Sequence, residues 1–255
     1  MMSAALRATS IYFIRLRRIG QSNLLIAGLN PLFVLAAMGV GLGSLVEDRE
    51  AIGGVDYLSF LAPGIMAALA MQSAAGSSLW PVLGGIKWEG TYVAQVATPL
   101  RPVDVLTGQL FYTAFDVAIR VVLTFAAMVA FGAVESWWGL LSMPVALLAA
   151  MVYAAAFTAF SATQETDSAF PLIMRLGVIP SYLFSGTFFP IDQLPTALQW
   201  FAKVTPLWHG VDLCRDLTLG DASLVESAGH VLYLAALLAV GLAWGARTFD
   251  RRLHP

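Results

Sequence analysis

Long uncharged apolar stretches alternate along the chain with short segments that carry most of its charges and prolines. A helix that crosses a bilayer needs about 20 mostly apolar residues, and six stretches meet or approach that length. The predicted spans lie at residues 24–46, 57–83, 106–134, 137–162, 169–189 and 228–246. The pattern therefore predicts an all-α integral membrane protein, with residues 1–255 forming one transmembrane domain.

The segment between the fifth and sixth predicted spans does not fit a simple crossing. It is polar and interrupted by prolines, and Gly186, Pro190 and Pro195 are expected to stop the fifth span. Backbone at membrane depth must make its hydrogen bonds internally. We therefore predict two short re-entrant helices, at about 194–203 and 206–219, that dip into the outer leaflet.

The N-terminal segment mixes basic and apolar residues. Arg7, Arg15, Arg17 and Arg18 interrupt it, so it lacks the continuous apolar run of a signal peptide. We predict an interfacial helix over residues 1–22, lying on the cytoplasmic face with its arginines at the lipid phosphates. A basic flank of the first span is the alternative.

The composition supports a membrane setting. Of the 255 residues, 58% are hydrophobic and 12% are charged, and the mean hydropathy is +0.76, whereas soluble domains carry about 25% charged residues. The net charge of −2 provides no basic footprint for a nucleic acid. The single cysteine, Cys214, excludes an intramolecular disulfide and is expected to be a small buried apolar residue.

Basic residues determine the predicted orientation, because cytoplasmic loops carry an excess of lysine and arginine. Placing the N-terminus inside puts most of them in the cytoplasm: Arg7, Arg15, Arg17, Arg18, Lys87, Arg101, Arg247, Arg251 and Arg252. The opposite face then receives Arg49, Lys203 and Arg215, together with most of the acidic residues. Both termini are therefore predicted to be cytoplasmic.

The longest predicted cytoplasmic loop contains a candidate docking element. A helix from Lys87 to Val96 would end before Thr98-Pro99, since a residue that precedes proline avoids the helical conformation. Trp88, Tyr92 and Val96 would then share one face. The candidate partner-contact residues are Lys87, Trp88, Glu89, Thr91, Tyr92 and Val96. A loop resting on lipid headgroups is the alternative.

A second group of candidate residues lies on the predicted outer side. Phe184, Phe188 and Phe189 are apolar candidates for a substrate pathway. His209, Asp212, Arg215 and Asp216 are predicted to share one helix face, which we interpret as a hydrogen-bonding surface of an outer vestibule. A metal site would need more ligands in tighter register. The three histidines, His209, His230 and His254, are scattered along the sequence.

Two opposite charges interrupt the third predicted span. Asp116 and Arg120 are four residues apart, so they share a helix face and can pair. An unpaired charge at the bilayer centre costs from about 3 kcal/mol upward. We favour a pair that stabilises the helix bundle over a gate or subunit contact. Glu165 and Asp167, in the turn after the fourth span, are expected to be solvated, and contact with a partner subunit is the alternative.

Several sequence elements carry a family resemblance. They are the Ser-Gly-x-x-Phe-Pro-x-x-x-Leu-Pro, Pro-Leu-x-His and Asp-Leu-x-Arg-x-x-x-x-Gly patterns within Phe184–Gly220, the Tyr57–Gly64 entry to the second span, and the 89–100 loop. Together they resemble the ABC-2 type permeases, and most of all the nodulation-factor export (NodJ-like) and daunorubicin-resistance branch. The chain departs from that pattern at Tyr92-Val93-Ala94-Gln95, where the family often has a leucine-rich run.

The resemblance implies an exporter subunit in a bacterial inner membrane, with a coupling helix that docks on a separate ATPase subunit. It also implies a dimer with a second permease copy or paralogue, and an amphipathic, drug-like or lipid-linked substrate such as a lipo-oligosaccharide. Spans one and five are the expected interface, with Gly39, Gly41, Gly43 and Gly186 allowing close approach. The sequence lacks a G-x-x-x-x-G-K-[ST] loop, so ATP and Mg would bind only to the partner, and no enzyme activity is expected in this chain.

Two other classes of function compete with the exporter subunit. A secondary carrier or channel would work without ATP, but the sequence shows no inverted repeat and no matching pair of broken helices. An intramembrane enzyme would need clustered acids, histidines or a nucleophile within the spans, and only Asp116 qualifies.

Overall fold

The computed structural model describes residues 28–42 and 54–253, and every regular element within these ranges is a helix. We number the helices in chain order: α1 (28–42), α2 (Tyr57–Trp88), α3 (Thr91–Val96), α4 (Pro102–Ala130), α5 (Trp137–Ala162), α6 (Phe170–Phe184), α7 (Thr196–Val204), α8 (Pro206–Leu219) and α9 (Leu224–Leu253). The interfacial helix predicted over 1–22 and both ends of the span predicted over 24–46 lie outside the described residues.

Of the residues described, four helices are long and apolar enough to cross a membrane: α2, α4, α5 and α9. They correspond to the second, third, fourth and sixth predicted spans. The second continues to Trp88 rather than ending at 83, and the third begins at Pro102 and ends at Ala130 rather than covering 106–134. The fourth matches its predicted bounds, and the sixth extends beyond 228–246 at both ends.

The fifth predicted span, at 169–189, corresponds to α6, a shorter apolar helix. The helix α6 ends at Phe184 rather than at 189, because Gly186 turns the chain with φ +80° and Pro190 follows. At 1.5 Å per residue it is about 22 Å long, which is shorter than the ~30 Å hydrocarbon core. A π-helical turn over Met174–Val178 precedes Pro180, whose missing N–H interrupts the regular ladder.

The helix α2 forms the centre of the fold. Asp56 caps its start by accepting a hydrogen bond from the Leu58 N–H at 3.3 Å. Most of its residues are buried, and it packs against α4, α5 and α8. Small side chains such as Ala67, Ala70 and Ala74, all buried, let the neighbouring helices approach closely, which is how helices associate in a membrane.

Small residues also hold α9 and α8 against α5. A Cβ at Gly241 would lie 3.0 Å from Ala155 Cβ, and one at Gly210 would lie 2.7 Å from Ala149 Cβ. Larger residues at these glycines would push the helices apart. The packing of α2, α5, α8 and α9 therefore fixes both ends of the molecule, where the candidate functional residues lie.

Candidate functional site

The segment that follows α2 folds as two pieces. Lys87 and Trp88 complete α2, Gly90 turns with φ +63°, and α3 begins at Thr91. The prediction of one helix from Lys87 to Val96 is wrong, because the left-handed conformation of Gly90 ends the preceding helix. Trp88 is 61% exposed whereas Tyr92 is 2% exposed, so these two rings do not share one outward face.

Tyr92 anchors α3 to three longer helices. Its hydroxyl donates to Gln109 Oε1 on α4 at 3.0 Å, and Gln109 Nε2 donates to the Ser77 carbonyl of α2 at 2.9 Å. The centroid of its ring lies 6.0 Å from that of Phe249 on α9. A Cβ at Gly85 would lie 2.7 Å from the ring, so the glycine makes room for it. A movement of α3 is therefore coupled to α2, α4 and α9.

The outward face of this segment is small and mostly apolar. Thr91 and Val96 are half-buried, and Val96 packs against the core. Lys87, Thr98 and Pro99 are exposed at the edges of this segment. We call the exposed residues between them the docking surface; it consists of Trp88, Glu89, Val93, Ala94 and Ala97. Sequence reasoning missed Val93, Ala94 and Ala97 because it assumed that Tyr92 pointed outward.

An ion-pair network holds the same end of the molecule together. Glu165, in the turn between α5 and α6, pairs with Lys87 at the end of α2 and with Arg252 on α9. Hydrogen bonds from Arg252 and Lys87 hold the pKa of Glu165 at about 2, so it is ionised at neutral pH. In the same turn, Asp167 Oδ2 accepts from Trp80 Nε1 at 3.2 Å. The Glu165 side chain is 62% exposed, as a solvated turn predicts, but both acids also bind basic or aromatic partners that are far away in sequence.

At the other end, Arg215 joins three of the sequence elements that carry the family resemblance. From α8, its Nε donates to the Phe60 carbonyl of α2 at 3.1 Å, and its Nη2 donates to the Gly186 carbonyl at 2.7 Å. Its guanidinium carbon also lies 3.8 Å from the centre of the Phe60 ring, a cation–π distance. Arg215 therefore points toward α2 and not, as predicted, to the same side as His209 and Asp212.

The turn after α6 is packed tightly against α2. A Cβ at Gly64 would lie 3.0 Å from Thr187 Cα, and Thr187 Oγ1 is 2.8 Å from Ser185 Oγ. Gly186 is buried within the chain, facing Ile191 and Trp208. The prediction that Gly186 serves a subunit interface is therefore wrong. Gly39 and Gly41 lie in α1, where Gly41 is exposed, and Gly43 lies outside the described residues.

The three candidate pathway phenylalanines are half-buried at this turn. Phe188 packs edge-on against Tyr182 with ring centroids 5.0 Å apart, and its carbonyl accepts from Tyr57 Oη at 3.4 Å. Phe184 ends α6 and Phe189 precedes Pro190. Phe188 therefore forms part of the packing between α6 and α2, and the role of the three phenylalanines in a pathway stays a prediction.

Two histidines that are distant in the sequence meet beside α8. The Nδ1 atoms of His209 and His230 are 2.8 Å apart, and His230 Nε2 lies 3.6 Å from Asp212 Oδ2. His209 stacks on Tyr233 with centroids 4.0 Å apart, and its Nε2 is 3.0 Å from the Lys203 carbonyl oxygen. Burial and the neighbouring His230 lower the pKa of His209 to about 4, so this ring is neutral at pH 7.

The sequence pattern does not predict this contact, because the histidines are scattered along the sequence. The available signal was that His209 and His230 both fall near the predicted outer surface. Within 28–42 and 54–253 no group of three or more His, Cys, Asp or Glu side chains is arranged to hold a metal ion. The cluster is therefore a hydrogen-bonded and stacked contact between α8 and α9.

The opposite charges in α4 face each other across one helical turn. Arg120 Nε donates to Asp116 Oδ2 at 3.0 Å and Nη2 donates to Oδ1 at 3.4 Å, while Ser73 Oγ of α2 donates to Oδ2 at 3.3 Å. Both charged side chains are largely but not fully buried. The pair lies between α2 and α4, about midway along each helix.

Known proteins show which class this architecture belongs to. Residues 7–219 match the ABC-2 type transporter family, so the chain belongs to the ABC-2 type transporter family. It is similar to nodulation protein J of Rhizobium leguminosarum bv. trifolii, with 30% identity over 224 residues, 88% of this chain and 84% of the relative. It is also similar to the nodulation protein J of Bradyrhizobium diazoefficiens, with 29% identity over 243 residues, 93% of this chain and 89% of the relative.

The family and the helices define the general role. The chain is a multi-pass helical membrane protein and a transport permease component of an ABC exporter, similar to nodulation protein J. Permeases of this family work with an ABC ATPase subunit, and the membrane subunit is not itself the typical catalytic component.

Proposed function

We propose that this chain dimerises and moves an amphipathic, drug-like or lipid-linked substrate out of the cytoplasm or inner leaflet. The energy comes from ATP, bound with Mg to a separate ATPase subunit. The observation that carries the proposal is the docking surface, an exposed apolar patch whose underside is fixed by Tyr92 to the long helices. A force applied there reaches α4 and α9 without a flexible linker.

The proposed topology has six spans, both termini in the cytoplasm, and re-entrant α7 and α8. The Lys87–Glu165–Arg252 network supports it, because it brings the ends of α2, α5 and α9 to one face. A re-entrant or interfacial α7 is supported by Trp200, Phe201 and Val204, which are large and exposed on a short helix.

The proposed dimer uses α1 and α6. On α6, exposed apolar side chains recur at helical spacing: Leu172, Leu176, Ile179 and Leu183. Such a stripe suits a second copy or a paralogue, with lipid covering what the partner leaves open.

The test is co-purification of the tagged chain with the ABC ATPase encoded beside its gene, followed by ATP hydrolysis in lipid nanodiscs. Val93→Glu places a charge in the docking surface and should lower ATPase recovery about tenfold, since a buried unpaired charge weakens an interface. Val225→Glu is the matched control, because Val225 is 85% exposed at the start of α9, at the opposite end of the molecule.

Equal recovery for the two variants would place the ATPase elsewhere. Transport by the purified chain without any ATPase would refute the ATP-driven proposal and favour a secondary carrier or channel. Tyr92 is unsuitable for this test, since its substitution would disturb the packing of α3 itself.

A further inference from the structure

A polar crevice lies between α2 and α4, with the start of α1 as its third side. Its volume is about 230 Å³, and its polar lining consists of Asn30, Gln72, Ser73, Arg120 and Thr124. Pockets that enclose a drug-sized ligand occupy ~300–1,000 Å³. The crevice is therefore suited to one polar group of a larger molecule.

The depth of the crevice makes its polarity unusual. The helix α2 begins at Tyr57 and ends at Trp88, so Ser73 is 16 residues from its start and 15 from its end. At 1.5 Å per residue, Ser73 lies roughly 24 Å from either end. This position is near the bilayer centre, where lipid headgroups do not reside. Polar side chains at such a depth are costly and typically mark a pathway.

The side chains that line the crevice favour an uncharged ligand group. Asp116 neutralises Arg120 through two hydrogen bonds, so the crevice presents no net charge to a bare anion or cation. Guanidinium has five N–H donors, which leaves three of Arg120 for other acceptors. The Thr124 hydroxyl donates to the Arg120 carbonyl at 2.8 Å, so its oxygen remains an acceptor.

Two amides complete the lining. The side chains of Asn30 and Gln72 form no hydrogen bond with any other described residue, and each amide offers both donors and an acceptor. Mixed donors and acceptors without net charge match hydroxyl and amide groups. The same helices α1 and α4 also line an apolar groove of about 390 Å³ that includes Leu32, Leu123 and Ala127, and this groove suits a hydrocarbon chain.

We propose that this crevice binds the uncharged, hydroxyl- or amide-bearing head of an amphiphile during its passage through the membrane. This inference rests on the proposed export function and adds the site and the head-group chemistry. Arg120 and Gln72 would donate to the head group, while the Ser73 and Thr124 oxygens would accept from it. Asp116 would keep Arg120 in position and cancel its charge.

The test uses the full chain in nanodiscs without ATP and a decyl glucoside that carries a diazirine in its alkyl chain. After irradiation, mass spectrometry should find the label on peptides of α1 and α4, which line the groove proposed for the alkyl chain. Unlabelled decyl glucoside should compete, whereas decyltrimethylammonium and decyl sulfate of equal chain length should not. Equal competition by all three head groups, or label spread evenly over all lipid-facing helices, would overturn the proposal.

Variants separate the site from the fold. Gln72→Leu removes an amide that makes no hydrogen bond within the described chain, so folded yield should be unchanged while labelling falls about fivefold, as expected for one lost hydrogen bond. Ser73→Ala should also reduce labelling, and Ser77→Ala, one turn along the same helix, should not. Labelling of Gln72→Leu equal to wild type would show that the Gln72 amide does not bind the head group and would overturn the proposal.

Failure of this inference can be told apart from failure of the export function. Binding is measured without the ATPase, so labelling can succeed even if no ATPase partner stimulates transport. Conversely, normal ATP-driven transport with no head-group-selective labelling would refute the crevice and leave the exporter intact.

Discussion

The Asp116–Arg120 pair shows how one residue contact decides whether a charge is tolerated inside the membrane. Arg120 donates twice to Asp116, and Ser73 donates to the same carboxylate. Each charge is therefore partnered within the helix bundle, which greatly lowers the cost of burying it.

The two partners of this pair are not equally replaceable. Asp116→Asn keeps an oxygen that accepts from Arg120 and Ser73, whereas Arg120→Ala leaves a carboxylate without its main donor. We expect Arg120→Ala to lower the yield of folded protein more than Asp116→Asn, as measured by fluorescence-detected size exclusion. Wild-type yield and transport for both variants would contradict a stabilising role.

His209 is the residue whose environment predicts a pH effect. Burial and the neighbouring His230 lower its pKa to about 4, below the ordinary value of about 6.5. Between these values the unfolded chain binds a proton here and the folded chain does not, so stability decreases as the pH falls from about 6.5 to 4.

Replacing His209 should weaken the dependence of stability on pH. The Tm of wild type is expected to fall more steeply than that of His209→Gln between pH 7 and pH 4. Asp216, whose pKa is raised to about 6 by burial, acts in the opposite direction because folding favours its protonated form. Its contribution is common to both proteins and cancels in the comparison; parallel Tm curves would contradict the effect at His209.

At the scale of elements, α3 depends on a glycine in another helix. A Cβ at Gly85 would lie 2.7 Å from the Tyr92 ring, whereas one at Gly76, also in α2, would meet no atom within 4 Å. We expect Gly85→Ala to displace Tyr92 and to raise hydrogen exchange of residues 91–96, while Gly76→Ala should leave it unchanged. Similar exchange in the two variants would mean that Tyr92 does not hold α3 in place.

The elements differ in how far the sequence predicts them. The bounds of α5 and the existence of α2, α4 and α9 follow from apolar runs with charged ends, which is local information. The break at Gly90 depends on one left-handed residue. The burial of Tyr92 depends on Gln109 and Phe249, which only the fold brings near. The same applies to His209 with His230, and to Arg215 with Phe60 and Gly186, since a sequence pattern does not report such distant pairs.

At the scale of the whole molecule, the two ends and the middle have different chemistry. One end carries the docking surface and the Lys87–Glu165–Arg252 network. The other end carries Arg215 and the contact between His209 and His230. The crevice lies between them, at the point where a polar group would otherwise be exposed to hydrocarbon. In the proposed topology, the ATPase would act at the first end, and the crevice would lie midway along the proposed passage.

The last prediction concerns which face each end occupies, and it depends on α6. The native thiol of Cys214 is fully buried and its Sγ donates to the Ser142 carbonyl at 3.3 Å, so a membrane-impermeant maleimide should not react with wild type. Val93→Cys and Val225→Cys place accessible thiols at positions that are 53% and 85% exposed.

The side of the membrane that Val225 occupies depends on α6. If α4 and α5 both cross the membrane, the turn containing Glu165 lies on the same side as Val93. Val225 then lies on the opposite side only if α6 also crosses. We expect Val225→Cys to react in intact cells and Val93→Cys only in inverted vesicles, because a kinked α6 with the turn after it can complete the crossing. Reaction of both thiols from the same side would mean that α6 does not cross, and the proposed six-span topology would then be wrong even though the family membership stands.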